Sequence, residues 1–388
     1  MSARPRLAIN GSFLGVAETG VQRYAHEMCR ALHRSPVRAF ETVLIAPGRA
    51  ADVAHAEPPL ADYVVVDPGD LPVALWVQIA LPLLMREQRA ACLWSPTAVG
   101  PIAVARQVVT FHDAAVFVAE PRWFTRGFRA YYRFLMRRLG RRVCRVVTSS
   151  DFSRTELVRY GVVEPEHMEV IACGVSASFR PTPRAAHPHP LANYVLCFGG
   201  GNPRKNEVTA ISAWQLLPAA LRAAHPLVIV GANPGIYGAH AFGAADDEHV
   251  VRLNYVAEPE LAALMSGARA ILYPSYYEGF GLPPLEALAC GTPAVVSNTA
   301  SLPEVLVDAA LYADPSDART FAAQLSRLLT EPELCAQLVA RGQTLVKRYS
   351  WSTAACALAL LWNDVMSARA PDRSIPNIPN KGTDDPGS

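Results

Sequence analysis

The sequence predicts an α/β fold of two doubly wound, Rossmann-like domains, and three observations lead to this. Short apolar runs, typical of strands buried on both faces, alternate with glycine-containing loops and helical patterns along most of the chain. A length of 388 residues exceeds what one hydrophobic core usually supports, so two domains are expected. Residues 181–190 hold four prolines and two histidines in a polar run, which is typical of a linker.

We therefore divide the chain at this linker. The C-terminal end adds an amphipathic helix and then a stretch rich in Pro, Asn, Asp and Gly, which we expect to be disordered. The predicted parts are an N-terminal domain (1–180), a linker (181–192), a C-terminal domain (193–348), a C-terminal helix (349–366) and a tail (367–388).

The composition excludes several classes of function. Hydrophobic residues make up 51% of the chain and charged residues 18%, which is typical of a globular protein with a large core. The formal net charge is +2, so the charge balance indicates no nucleic-acid partner. The eight cysteines include no C-x-x-C pair and mostly lie in apolar runs. We therefore expect reduced thiols in a cytoplasmic protein, and no metal site.

Neither a leader nor a membrane span is predicted. Leu7–Ile9 is too short for the apolar core of a signal peptide and leads into polar residues. Residues 71–84 are apolar but are interrupted by two prolines and a glutamine. They fall short of the roughly 20 residues that a membrane span needs. Within this stretch we expect a helix over residues 74–85 with a proline kink.

The first predicted βα unit has a phosphate-binding type of arrangement. A strand over Leu7–Asn10 leads into a loop with three glycines that ends at Gly20, and a helix follows over Val21–Leu32. The loop lacks the G-x-G-x-x-G dinucleotide pattern, so an ordinary βα turn is the alternative.

A later strand of the same domain, Val108–Phe111, ends in His112 and Asp113. Side chains at the carboxyl end of a strand point into the crevice where doubly wound sheets bind ligands. An isolated His-Asp pair more commonly orders a loop, and this alternative stays open.

Residues 121–145 read as an amphipathic helix with a basic face. Arginines recur at spacings of three and four residues, and apolar side chains recur on nearly the opposite face. Such a face could contact anionic lipid or a phosphate-bearing acceptor, but a solvated face on a core-packed helix is the commoner explanation. The arginines are Arg122, Arg126, Arg129, Arg133 and Arg137; the apolar residues are Phe124, Phe128, Tyr131, Leu135 and Leu139.

The second domain opens with a strand over Tyr194–Phe198, followed by G-G-G-N-P-R-K-N. Three glycines with Arg204 and Lys205 after a strand form a candidate anion site, since both cations could neutralise a diphosphate. A glycine turn with surface charges is the alternative.

Two carboxylates flank the next candidate site. A strand over Ala270–Tyr273 precedes a loop that holds Glu278, and Glu286 lies in the helix that follows. The helix N-terminus between them is a natural phosphate site, and Gly279 and Gly281 permit close approach of a ligand. A phosphate between two hydrogen-bond acceptors suits a nucleotide sugar. The alternative is an ordinary βαβ turn with solvent-facing glutamates.

The pattern E-G-F-G-L-P-x-x-E-A-L-A-C-G-T-P in this stretch resembles the donor-site motif of the retaining glycosyltransferase family 4, which has the GT-B fold. The resemblance implies two Rossmann-like domains facing across a cleft. It implies that Glu278 contacts the transferred sugar and that Glu286 binds the ribose. The backbone of Gly279, Phe280 and Gly281 would lie against sugar and phosphates, and the helix N-terminus from Leu282 would face the diphosphate.

Other segments resemble the same family. T-G-V-Q-R-Y, which contains Gly20, resembles the loop that approaches the donor phosphates. V-T-F-H-D implies that His112 and Asp113 lie beside the donor sugar, and G-x-x-x-x-R-K-N implies that Arg204 and Lys205 bind the pyrophosphate. The Y-S-W segment implies that the last helix crosses back to the N-terminal domain, which faces the acceptor.

Together these resemblances imply a retaining, metal-independent hexosyltransferase that needs no cofactor. The sequence contains no Asp-x-Asp motif, so protein cations would replace Mg²⁺ at the diphosphate. The expected donor is GDP-mannose, with a UDP-hexose as the alternative. The expected acceptor is a glycan, lipid-linked, in bacterial polysaccharide assembly. The protein would be cytoplasmic, with peripheral contact at the inner face of the membrane through the basic helix left open.

Two functions of other classes remain as alternatives. A sugar-nucleotide 2-epimerase shares this architecture, but it would need acids and bases placed to move a proton at C2, and no such set is evident in the sequence. A non-catalytic sugar-nucleotide binder is the second, although the motif glutamates and cations are all present.

Overall fold

The computed structural model describes residues 4–14, 16, 19–48, 64–67, 69, 71–120, 123–182, 193–231 and 249–367. Several predictions fall wholly or largely outside these residues: the tail, most of the linker and Arg122 of the basic face.

The described part of the N-terminal half forms one parallel sheet of seven strands in the order β3-β2-β1-β4-β5-β6-β7. Its strands are nearly all-apolar runs, as expected where helices cover both faces. The strands are β1 (Arg6–Asn10), β2 (Glu41–Pro47), β3 (Val64–Asp67), β4 (Cys92–Ser95), β5 (Gln107–Thr110), β6 (Arg145–Thr148) and β7 (Met168–Val170), and the helices are α1 (Gly20–His33), α2 (Val73–Gln78), α3 (Ala80–Glu87), α4 (Arg126–Gly140) and α5 (Asp151–Arg159).

The described part of the C-terminal half forms a second parallel sheet of six strands in the order β10-β9-β8-β11-β12-β13. The strands are β8 (Val195–Phe198), β9 (Leu227–Val230), β10 (Val250–Leu253), β11 (Ala270–Tyr273), β12 (Ala294–Ser297) and β13 (Leu311–Ala313). The helices are α6 (Glu207–Gln215), α7 (Ala219–Ala224), α8 (Glu258–Gly267), α9 (Leu282–Ala289), α10 (Leu302–Leu306), α11 (Ala318–Thr330), α12 (Pro332–Val346) and α13 (Trp351–Ser367).

The predicted fold class is confirmed, because both sheets are parallel and doubly wound. The strand order reverses beside β1 in the first sheet, where β1 pairs with β2 and β4. It reverses beside β8 in the second, where β8 pairs with β9 and β11. Ligands of such sheets bind at the carboxyl ends of the strands near these points.

Two helix predictions need correction. The helix expected over 74–85 is two helices, α2 and α3, separated at Ile79. Pro82 lacks an N–H and therefore belongs in a first helical turn, so the chain restarts a helix instead of bending one. The basic helix is also shorter than expected: α4 begins after Thr125, whose hydroxyl accepts a hydrogen bond from the N–H of Phe128.

The arginines of α4 do not all face solvent. Arg133 donates to the carbonyl oxygens of Val116 (2.6 Å) and Phe117 (3.0 Å), and Arg129 donates to the carbonyl of Glu120. The predicted basic face is therefore partly covered by the loop after β5. The periodicity identified a face but did not reveal which neighbour covers it.

The last helix, α13, packs against α1 of the N-terminal domain. Its Leu358 and Trp362 are fully buried, and its Asn363 donates to the carbonyl oxygen of Val37 at 3.0 Å. Where the chain meets the start of α13, a Cβ on Gly174 would collide with the backbone of Trp351. The last helix that the structure describes is thus built into the core of the first domain.

We expect Leu358→Ala to destabilise the protein by about 2–5 kcal/mol, because it leaves a cavity between α13 and α1. Leu360 lies on the same helix with 54% of its surface exposed. The control Leu360→Ala should change the free energy of unfolding by no more than about 0.5 kcal/mol. Urea unfolding of both variants measures this. Equal destabilisation would contradict the packing of α13 described here.

Candidate active site

The candidate residues converge where the carboxyl ends of both sheets meet. His112 and Asp113 follow β5, Arg204 and Lys205 follow β8, and Glu278 follows β11. Strands β8 and β11 are neighbours in the second sheet, so the loops that follow them lie side by side. The structure therefore brings together groups that lie up to 166 positions apart in the chain.

Glu278 is the most tightly held of these groups. Its Oε1 accepts from Lys205 Nζ at 2.8 Å and from the Tyr273 hydroxyl at 2.9 Å. Lys205 also donates to the Tyr273 hydroxyl and lies 4.7 Å from the centre of that ring. Burial raises the pKa of Glu278, but the charges of Lys205 and Arg204 outweigh it, and the pKa lies below its ordinary value. Glu278 is therefore a carboxylate at neutral pH.

The two cations are presented by a short 3₁₀ turn, Pro203–Lys205. At its start, Asn202 Oδ1 accepts from the N–H of Arg204 at 3.1 Å. At its end, Asn206 takes a left-handed conformation and donates to the carbonyl oxygens of Pro274 (3.0 Å) and Pro315 (2.7 Å). Since Pro274 begins the Glu278 loop, the turn and that loop are tied together.

Arg204 reaches across to the N-terminal domain. Its Nη1 donates to Asp113 Oδ2 at 3.2 Å, and its guanidinium lies 5.4 Å from the centre of the Phe124 ring. Asp113 also accepts from the N–H of Ala115 at 2.8 Å, which fixes the loop after β5. An ion pair between Arg204 and Asp113 therefore joins the two domains at the site.

Glu286 lies in α9 and is almost completely buried. Its partner is Arg23 of α1, whose Nη1 donates to Glu286 Oε1 at 2.6 Å. Arg23 also contacts Glu258 at 3.5 Å and lies 5.4 Å from the centre of the Phe179 ring. Burial raises the pKa of Glu286 above its ordinary value even though Arg23 opposes this. The site therefore holds a second ion pair that spans both domains.

Sequence reasoning missed Arg23 and Tyr273. Arg23 stands in T-G-V-Q-R-Y, where the family resemblance indicated the loop at Gly20 as part of the site and not the helix that carries Arg23. Tyr273 ends a strand whose other residues are core, so it was assigned to packing. A signal was present for Tyr273, since the last residue of a parallel strand lies at the ligand-binding edge.

The glycine segment between the glutamates contacts the N-terminal domain. A Cβ on Gly279 would collide with the carbonyl oxygen of His112, so only glycine permits this approach. Gly281 has φ +95° and precedes α9, whose first residue is Leu282. The Phe280 ring is buried against Tyr349, with ring centres 5.5 Å apart. The Phe280 side chain therefore belongs to the core, and the backbone of Phe280 is the part that can face a ligand.

His112 is held by its surroundings. Its Nε2 lies 3.1 Å from the carbonyl oxygen of Pro96, and its ring meets the Tyr24 ring edge-on with centres 4.7 Å apart. Because a carbonyl only accepts, Nε2 carries the hydrogen, and Nδ1 of the neutral ring is left as an acceptor. Burial lowers the pKa of His112, which favours this neutral form.

Gly20 lies at the start of the first helix. It is the first residue of α1, and a Cβ built on it would meet no described atom beyond its own helix and chain neighbours within 4 Å. The preceding residues 15, 17 and 18 lie outside the described chain.

Neither a metal-binding cluster nor a membrane-spanning helix is found among the described residues. No three His, Cys, Asp or Glu side chains in that part of the chain lie close enough to hold a metal ion. No helix there is both long and apolar enough to cross a membrane.

Comparison with protein families matches both halves of the chain. Residues 19–179 match the model described as Glycosyltransferase Family 4, and residues 180–345 match the model described as Glycosyl transferases group 1. The two matches meet in the region of the predicted linker.

Comparison with individual proteins gives relatives and a structural neighbour. The chain is 34% identical over 270 residues to O-antigen chain mannosyltransferase B of Escherichia coli, covering 65% of this chain and 68% of that protein. It is 26% identical over 365 residues to O-antigen chain mannosyltransferase RfbU of Salmonella typhimurium, covering 89% and 96%. Sucrose-phosphate synthase from Thermosynechococcus elongatus superposes with a TM-score of 0.72 at 18% identity, covering 94% and 100%, which shows a shared fold.

We expect Lys205→Met to change how stability depends on pH. Because the pKa of Glu278 is lowered, its ionisation stabilises the fold above the unfolded-state pKa, and this contribution is lost as pH falls through the folded-state pKa. Without Lys205, the effect of burial on that pKa is opposed mainly by Arg204, so we expect the pKa to rise and the buried carboxylate to cost stability at neutral pH. The free energy of unfolding of Lys205→Met should be about 3 kcal/mol lower than that of the unchanged protein at pH 7. This difference should become smaller towards pH 4.

Unfolding measured between pH 4 and pH 8 tests this. The control is Lys347→Met, since Lys347 is exposed after α12 and should leave the pH dependence unchanged. Parallel stability curves for Lys205→Met and the unchanged protein would show that the ion pair does not set the pKa of Glu278.

Proposed function

The chain belongs to glycosyltransferase family 4, and we propose that it transfers mannose from GDP-mannose to a glycan acceptor, with retention and without a metal ion. Membership confirms the family resemblance seen in the sequence, and the protein is a glycosyltransferase. The main observation behind the proposed reaction is the Lys205–Glu278 ion pair beside Arg204, which lies where the carboxyl ends of the two sheets meet.

The charges at this edge suit the leaving group of glycosyl transfer. As the bond from the anomeric carbon to phosphate breaks, negative charge grows on the diphosphate and positive charge on the sugar. Arg204, Lys205 and the N-terminus of α9 would stabilise the diphosphate, and preorganised donors of this kind commonly supply a large part of catalysis. These groups take the part that Mg²⁺ plays elsewhere, which supports metal independence.

The acceptor groups suit the rest of the donor. Glu278, ionised and at the mouth of the second sheet, would accept hydrogen bonds from the hydroxyls of the sugar. Glu286, beyond the start of α9, would accept those of the ribose. The backbone of residues 279–281, which leads into the N-terminus of α9, would lie against the sugar and phosphates.

The surroundings of the carboxylates support a front-face mechanism of retention. A double displacement needs a nucleophile with an available lone pair beside the sugar. Glu278 Oε1 accepts from both Lys205 and Tyr273, and its lowered pKa makes it a weak base. Asp113 is engaged by Arg204. We therefore assign the acceptor proton to the departing phosphate oxygen, which accepts it as the acceptor oxygen attacks the same face of the sugar.

Two relatives support mannose and a role in polysaccharide assembly. Both are named as O-antigen chain mannosyltransferases, and one of them matches nearly its whole length. A growing O-antigen is a glycan carried on a lipid, so the proposed acceptor is a lipid-linked oligosaccharide. The sugar nucleotide serves as substrate, and no separate cofactor is required by this chemistry.

A surface on α4 supports peripheral contact with the membrane that would carry such an acceptor. Tyr131 and Phe134 are 39% and 54% exposed on this helix, and Arg126 and Arg138 are exposed on it as well. Exposed aromatic rings among arginines suit the interface of an anionic bilayer, where rings enter the headgroup region and arginines pair with phosphates.

A donor panel tests the proposed reaction. We expect GDP-mannose to stabilise the protein by about 2.7 kcal/mol at a hundredfold excess over its Kd, and UDP-glucose to stabilise it less. With an alkyl mannoside as acceptor, GDP release should continue in EDTA and the product should keep the anomeric configuration. Glu278→Gln should lower kcat about a hundredfold, whereas Glu331→Gln, at the exposed residue that precedes α12, should not.

Each part of the proposal has its own contrary result. Preferential stabilisation by UDP sugars would overturn the donor, loss of turnover in EDTA would overturn metal independence, and an inverted product would overturn retention. A C2 epimer of the donor would indicate an epimerase instead. Tight donor binding without GDP release would indicate a binding protein.

Vesicle sedimentation tests the α4 surface. We expect binding to phosphatidylglycerol vesicles that weakens with salt, and little binding to phosphatidylcholine vesicles. The double variant Phe134→Ser with Arg138→Gln should bind at least about fivefold more weakly, since one arginine contributes about 1 kcal/mol near an anionic surface. The control Leu216→Ser alters a residue that is equally exposed on the C-terminal domain. Unchanged binding by the double variant would contradict this assignment.

A further inference from the structure

The Glu278 loop begins at a strand of the C-terminal sheet, but its neighbours are buried in the N-terminal domain. Tyr277 immediately precedes Glu278 and is only 6% exposed. Its ring lies 5.3 Å from that of Phe152 and 5.8 Å from that of Trp123, centre to centre. It belongs to the same hydrophobic cluster as the core residues of β5, β6 and α4.

Gly279 immediately follows Glu278 and is bound by three hydroxyls of the N-terminal domain. Its carbonyl oxygen accepts from Ser150 at 2.6 Å, Ser153 at 3.1 Å and Ser149 at 3.3 Å. All three serines lie at the start of α5, and Ser150 is also its N-cap, accepting from the N–H of Ser153. The glycine carbonyl is thus fixed at a rigid helix end of the other domain.

The same helix end holds a second part of the C-terminal domain. Glu304 of α10 accepts from the backbone N–H groups of Asp151 (2.8 Å) and Phe152 (2.9 Å). Two orphan donors of the α5 N-terminus are therefore satisfied by a carboxylate of the opposite domain. We call this set of contacts, made by Ser149, Ser150, Ser153, Tyr277 and Glu304, the α5 clasp.

We propose that the α5 clasp positions Glu278 for transfer, so that the N-terminal domain sets the geometry of a reacting group carried by the C-terminal domain. This inference rests on the proposed role of Glu278. Tyr277 and Ser150 are positioning residues. Tyr277 precedes Glu278 and anchors the loop in the N-terminal core, and Ser150 holds the carbonyl of Gly279, whose backbone lies against that of His112.

The clasp should govern the rate of transfer more than the affinity for the donor. Lys205 and Arg204 are carried by their own turn, and Glu286 by α9, none of which the clasp residues hold directly. A loosened loop displaces Glu278 relative to these groups. A displacement of about 1 Å at a reacting group can cost about a hundredfold in rate, because orientation supplies much of the rate enhancement.

Steady-state kinetics with GDP-mannose and calorimetry with GDP test the clasp. We expect Tyr277→Ala to lower kcat at least about tenfold, as orientation is lost, while the Kd for GDP changes less than about twofold. Tyr277→Phe keeps the ring and should restore most of the rate. Ser150→Ala removes the shortest hydrogen bond to the Gly279 carbonyl and should also lower kcat. Its control is Ser352→Ala, at an exposed serine of α13, which should leave kcat unchanged.

Hydrogen exchange provides a readout that does not depend on transfer. In Tyr277→Ala and Ser150→Ala, backbone amides of residues 275–281 should exchange faster, while those of β11 keep their protection. If Tyr277→Ala fails to fold, Ser150→Ala decides both measurements.

The outcomes separate this inference from the proposed function. Suppose that the unchanged protein releases no GDP while the loop exchanges faster in the variants. Transfer would then be refuted, but the α5 clasp would still be shown to fix the loop. Normal turnover with kcat unaffected by Tyr277→Ala and Ser150→Ala would overturn the positioning role. So would equal loss of rate in Tyr277→Phe and Tyr277→Ala, or unchanged exchange of the loop.

Discussion

The ion pair between Lys205 and Glu278 is the interaction on which the site depends. Two half-buried charges are costly to desolvate, and here each offsets the cost of the other, with the Tyr273 hydroxyl completing the arrangement. Because the two groups lie in the loops that follow neighbouring strands, the pair also fixes the loops after β8 and β11 relative to each other. The groups proposed to bind sugar and diphosphate are therefore preorganised by their attraction for one another.

The other charged groups of the site extend this arrangement across the domain boundary. Arg204 pairs with Asp113, and Arg23 pairs with Glu286, so each of these pairs takes one member from each domain. Such pairs contribute little to stability on their own, because desolvation opposes their attraction, but a misplaced partner leaves an uncompensated buried charge. The relative position of the domains and the electrostatics of the site are consequently set by the same contacts.

The sequence predicted the parts of the site that local pattern reveals. Short apolar runs predicted the buried strands. Arg204, Lys205 and Glu278 were candidates because polar residues after such strands lie at the ligand edge, and Glu286 because it lies in the helix that follows the Glu278 loop. Partners from the other half of the chain had no local signal, as with Arg23 for Glu286 and the α5 serines for Gly279. The prediction of a fully exposed basic face on α4 was incomplete for a related reason. The helical period defines a face, but only the fold shows that backbone carbonyls cover part of it.

The clasp explains why Tyr277, Glu278 and Gly279 stand next to each other. Tyr277 is buried in the N-terminal domain, the Glu278 side chain turns back to Lys205, and the Gly279 carbonyl meets the serines of α5. Three consecutive residues thus contact two domains alternately, and a side chain at Gly279 would force the backbones apart at His112. A loop anchored in this way has its full set of contacts only when the domains are together. On the proposed function, the N-terminal domain therefore acts on the donor chemistry through backbone geometry as well as through charge.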